Sequence, residues 1–202
     1  MSDAVQPRSL SEDIAFIRAL VEEGRQTTYK GGVALAAGLI WGTASLYFWS
    51  VWTKLWTPPG GLAELNWIWL VAIVAFLIAG APLGMFRRAE NRTAAAAWGA
   101  VGAGCWTISF VIGIAAWRTH NWTMFFLLPP IIMALYGGAW LVCAAGLRRW
   151  WMTWVGVACL LSSLALAYTA AQPVQYLLFG LSLYAFAGLP GLIVVVRNRR
   201  QA

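Results

Sequence analysis

Charge is scarce in this sequence: only 10% of its 202 residues are Asp, Glu, Lys or Arg, against about 25% in a soluble domain. So few charges cannot cover a water-facing surface of ordinary area, so much of the surface must face lipid. Histidine is rarer still. The single one, His120, excludes a bis-histidine haem and a histidine-rich zinc centre within one chain. Cys105, Cys143 and Cys159 each lie in an apolar run, with no C-x-x-C pair, and they read as small packing hydrophobes. A glycine-rich phosphate loop, an H-E-x-x-H pattern and a nucleophile–base pairing are all missing. The residues therefore call for no metal, no cofactor and no catalytic group.

What the chain has in abundance is apolar length. Hydrophobic residues make up 61% of it, and fourteen are tryptophan, a residue favoured where hydrocarbon meets headgroup. The net charge of +7 is not a nucleic-acid footprint, which would gather basic residues on one face of a domain. Here Lys and Arg stand in short clusters between the apolar runs, the pattern of a membrane topology signal. The start of the chain is acidic and amphipathic rather than basic then apolar, so it does not read as a secretory signal peptide.

The gaps between charged residues count the spans. Lys30 to Lys54 encloses 23 uncharged residues, Glu64 to Arg87 encloses 22, Arg92 to Arg118 encloses 25, and His120 to Arg148 encloses 27. A hydrocarbon core of about 30 Å takes about 20 helical residues, so each gap accommodates one crossing. Arg149 to Arg197 encloses 47, about 70 Å of helix at 1.5 Å per residue, and must turn back. The turn is placed at Ala171-Gln172-Pro173-Val174-Gln175. The fold expected is all-α and integral to the membrane: a six-helix transmembrane bundle of three consecutive hairpins, preceded by one amphipathic cytoplasmic helix. Its spans run over about 31–53, 65–86, 93–117, 122–147, 150–170 and 174–196, with a cytoplasmic segment 1–30 before them and a basic tail 197–202 after.

Orientation follows from Lys and Arg alone. Twelve of the fourteen fall in the N-terminal segment, the second and fourth loops and the tail, leaving only Lys54 and Arg118 opposite. Both termini are thus placed in the cytoplasm, and the Ala, Gly, Trp and Arg richness suggests a bacterial cytoplasmic membrane.

Within the spans, small residues recur at four-residue spacing, as Gly38 with Gly42, Gly80 with Gly84, and Ser109 with Gly113. Such pairs let helix backbones approach closely, within one chain or between copies in a homo-oligomer. Pro82, Pro129, Pro130 and Pro190 are expected to bend helices, since proline removes a donor. For Pro129 and Pro130 the alternative is that the fourth helix begins there, with Trp122 to Leu128 along the interface. Ala79-Gly80-Ala81-Pro82 matches Ala187-Gly188-Leu189-Pro190, a short likeness that any three hairpins with basic ends could share.

All seven acids lie outside the spans. A mid-membrane charge costs about 2.5–3.5 kcal/mol and normally marks a relay or pathway, so proton coupling through an intramembrane carboxylate is not expected. Ser9 to Gly24 reads as a separate helix. Ser9 and Glu12 make a capping box, and Leu10, Ile14, Ile17, Leu20 and Val21 fall on one face. Its charged side, with Glu12, Asp13, Glu22 and Glu23 against Arg18 and Arg25, is wrong for an anionic lipid surface. It suits a basic loop of the chain itself or a groove on another protein. The function expected is that of a non-catalytic accessory, scaffold or regulatory subunit whose partners are membrane lipid and a protein, not nucleic acid. The alternative is a carrier for a small uncharged or lipid-like solute.

Overall fold

The computed structural model describes residues 31–59, 64–83 and 92–199, together with Ile14. Among them every regular element is helical. α1 is Gly32–Trp52, α2 Glu64–Gly80 and α3 Arg92–Thr119; a 3-10 helix, Trp122–Leu127, leads into α4, Leu128–Leu147. α5 is Trp150–Tyr168, and a last helix follows in three parts: α6 Val174–Leu183, a π-helical segment Tyr184–Gly188, and α7 Leu189–Arg199. Five helices are long and apolar enough to cross a membrane: Gly32–Trp52, Ala94–Thr119, Trp122–Leu147, Trp150–Tyr168 and Val174–Val196. Helices are the form such sequences take in lipid, where a backbone N–H or C=O left unpaired costs several kcal/mol. The exposed surface agrees: Val74, Ile78, Phe110, Ile114, Leu161 and Leu164 all lie open, on a scale that water would not tolerate.

The second apolar stretch behaves differently from its neighbours. The charge gap allows a helix to residue 86, but α2 stops at Gly80 and its apolar part, Trp67–Gly80, is short. Ala81 closes on Leu77 at 3.1 Å, and Pro82 falls in the turn beyond. It therefore bends no helix. Gly80 is buried, and Gly84 lies outside the described residues.

Packing divides the chain into two lobes. α2 rests on α1, and α1 runs along all three parts of the last helix; α4 and α5 form the most extensive pair, with α3 against α4. Between the lobes the last helix meets α4 and α5 more lightly. Half of the last span is buried, against 17% of the α3 span, so the last helix is central and α3 is a margin.

Glycine sets the first lobe's close crossing. A Cβ on Gly38 would run into the Gly188 backbone, and one on Gly180 would stand 3.0 Å from the Gly42 carbonyl. A Cβ on Gly191 would stand 2.7 Å from the Gly31 carbonyl. The second lobe repeats the device: a Cβ on Gly137 would stand 3.0 Å from the Gly156 carbonyl, and one on Gly156 3.1 Å from the Gly137 carbonyl. Gly113, by contrast, would meet only the Phe125 ring at 3.8 Å, and Ser109 bonds back to Cys105 in its own helix at 2.7 Å. That pair draws no second backbone close.

Candidate functional site

The best-organised polar chemistry lies in the seam between the lobes, and prolines create it. A helical proline cannot donate to the carbonyl four residues before it. Pro129 and Pro130 open α4 at its first positions, so the helix begins there rather than bending. Neither can donate to Phe125 or Phe126. The Phe125 carbonyl takes the Leu128 N–H instead. The Phe126 carbonyl accepts from the side-chain amide of Gln175, Nε2 at 2.7 Å. That nitrogen also donates to the Leu166 carbonyl in the last turn of α5, at 3.1 Å. One fully buried amide thereby ties the 3-10 helix, α5 and the last helix together. Its Oε1 has no partner among the described residues.

Pro190 makes the same demand lower down. It cannot serve the Phe186 carbonyl, which accepts from the indole Nε1 of Trp140 on α4, at 3.0 Å. Trp140 is wholly buried. Just before the proline the helix widens to π geometry, and the Leu189 N–H reaches Tyr184. At the end of this segment Gly188 lies against Gly38. Between the two carbonyl ties, the hydroxyls of Ser162 and Ser182 meet at 2.6 Å. The three levels, 175, 182 and 186, lie about 10 and 6 Å apart at 1.5 Å per residue.

Aromatic clusters hold both ends of the seam. Trp52 stacks on Phe126 at 5.3 Å, and Tyr176 packs on Phe48 at 4.3 Å. Trp69 joins Tyr176 from α2. At the other end Trp98 meets Trp140 edge-on at 5.4 Å, and Trp151 lies beyond at 5.9 Å. The Trp98 indole N–H is buried without a hydrogen-bond partner among the described residues. Cys143 and Cys159 are free and buried in the core cluster.

Elsewhere most hydroxyls serve their own helices, and Thr43 also reaches across to the last one. Ser45 bonds to Trp41 and Ser50 to Tyr47. Thr43 bonds both to Leu39 and to the Tyr184 hydroxyl, each at 2.7 Å. The best-formed depressions among the described residues are open grooves. One, of about 430 Å³, is lined by Leu35, Leu39, Leu181, Tyr184, Leu189 and Leu192. The other, of about 270 Å³, is lined by Tyr47, Trp67, Ile68 and Val71. No three His, Cys, Asp or Glu residues gather among the described residues. His120 sits exposed in the turn after α3, at φ 52°.

No protein family, curated protein or solved structure matches the chain. Its reading rests on the geometry alone.

Of the residues singled out in sequence, Gly38 and Gly42 lie where α1 crosses the last helix, the helix that also carries Pro190. Pro129 and Pro130 act at the far end of the seam, while Pro82 stands apart. Of the docking face, Ile14 is exposed; Leu10, Ile17, Leu20 and Val21 lie outside the described residues. Sequence reasoning missed Gln175 and Trp140. The signal was present, since each proline implies an orphaned carbonyl and hence a donor on a neighbouring helix.

Proposed function

We propose that the chain is a non-catalytic polytopic protein of a bacterial cytoplasmic membrane, crossing six times with both termini in the cytoplasm. It works as an accessory, scaffold or regulatory subunit, and Ser9 to Gly24 is its docking helix. One observation carries this reading. The polar side chains of the seam are committed to structure: Trp140, Gln175, Ser162 and Ser182 each bond another helix, and Ser163 bonds the Pro130 carbonyl at 2.8 Å. Such ties make a rigid frame that displays its cytoplasmic segment. In this reading α2, 17 residues from Glu64 to Gly80, is the second and shortest of the six crossings. A carrier draws support from the π segment, since π-bulges often mark functional positions, but the open apolar grooves beside it offer no enclosed polar path.

The test is affinity isolation of the intact chain and of a variant lacking Ser2 to Gly24, from the native membrane. Specific protein partners should be lost with the segment while insertion and yield stay the same. An unchanged partner set, with unchanged cellular phenotype, removes the proposal.

A further inference from the structure

Arg148 and Arg149 are the entire connection between α4 and α5. Arg148 takes a left-handed backbone at φ 50°. The N–H groups of both arginines turn back to the Ala144 carbonyl, that of Arg149 at 3.2 Å. Met152 then closes on the Arg149 carbonyl at 3.0 Å. The turn is tied from both sides, and its two side chains are exposed. Neither guanidinium has a partner among the described residues, and no acid stands in the first turn of α5.

Directly beyond the turn, Trp150 and Trp154 are 74% and 63% exposed, with rings 6.5 Å apart, edge to face. Four residues apart on a helix, they share one side. α4 and α5 have 20 and 19 residues, each about 30 Å of helix, which is the depth of a hydrocarbon core. The arginines therefore emerge at headgroup level, with two indoles just inside it, where tryptophan is favoured.

We propose that this corner binds the phosphate of an anionic phospholipid. Two exposed guanidinium groups offer planar, paired donors of the kind that grip phosphate oxygens. The tryptophans flank the glycerol and the upper acyl chains. Charge complementarity selects the lipid: a zwitterionic headgroup carries its own cation, which competes with the arginines, whereas an anionic headgroup does not.

Native mass spectrometry of the intact chain tests this, with phosphatidylglycerol and phosphatidylcholine of matched acyl chains supplied equally. The wild type should retain phosphatidylglycerol in roughly tenfold preference, the equivalent of about 1.4 kcal/mol. R148Q/R149Q should bring that preference close to one. R148K/R149K keeps the charge that directs insertion but loses the planar fork, so its preference should fall several-fold in a normally inserted chain. Equal retention of the two lipids by the wild type, or a preference that survives in both variants, overturns the proposal. So does displacement of the lipid by inorganic phosphate, which would assign the corner to a free anion. A several-fold rise in retention on deleting Ser2 to Gly24 would assign it to the acidic segment and equally overturn it.

Discussion

Gly38 and Gly99 are both glycines in apolar helices, yet only Gly38 is required to be one. A methyl group on Gly38 meets the Gly188 backbone, which no rotamer change can relieve, while around Gly99 and Gly102 nothing among the described residues lies within 4 Å. G38A should therefore destabilise the chain by about 1–3 kcal/mol, the range for overpacking. G99A and G102A should be neutral or stabilising by up to about 1 kcal/mol, as expected for glycine replaced in a helix interior. Unfolding in mixed micelles measures both; equal effects would mean the α1 crossing is not tight. The four-residue spacing exposes Gly38 with Gly42, but it exposes Ser109 with Gly113 equally well. Spacing shows that a smooth face exists. It does not show what the face meets, because that is set by helix rotation, and in lipid a smooth face stays open at little cost. Gly137 and Gly156 escaped for the converse reason: each is decisive, but they sit on different helices and form no local pattern.

Among elements, the three kinds of proline site show what apolar periodicity leaves out. Pro82 lies in the turn after one helix, Pro129 and Pro130 begin another, and Pro190 lies in the last, next to its π segment. The matching Ala-Gly-x-Pro strings at 79–82 and 187–190 thus have different structures, and in the second Trp140 takes the carbonyl that the proline cannot serve. Trp140 and Pro190 should accordingly be coupled. W140F leaves the Phe186 carbonyl without its donor and should cost about 1–3 kcal/mol. With P190A, residue 190 regains an N–H, and the cost of W140F should shrink by about 1 kcal/mol in a double-mutant cycle. Identical costs in the two backgrounds would show that the indole serves packing alone. Charge gaps do locate the helices well: Gly32–Trp52 fills the stretch between Lys30 and Lys54, and Trp150–Tyr168 with Val174–Arg199 divides the long final stretch at Pro173. Charges are legible because lipid excludes them; the end of α2 at Gly80 was not legible because apolar residues suit a turn and a helix alike.

At the scale of the whole molecule, the two lobes share little surface, and the last helix joins them through Gln175, Ser182 and the Phe186 carbonyl. That economy suits lipid, where association rests on close packing and a few hydrogen bonds rather than on burial of apolar area. It also explains why α3 can leave Trp106, Phe110, Ile114 and Trp117 exposed. The lobed order could not be read from the chain, because consecutive hairpins suggest neighbours in sequence order, whereas α1 instead crosses the last helix. What the sequence did convey was the solvent. The most direct test of that claim is labelling with a membrane-impermeant thiol reagent, after Cys105, Cys143 and Cys159 are replaced by alanine and single cysteines are introduced. Cysteines at Trp56, His120 and Pro173 should react only from one side of sealed vesicles, and cysteines at Arg88, Arg148 and Ala202 only from the other. Labelling of all six positions from a single side would contradict a chain that threads the bilayer.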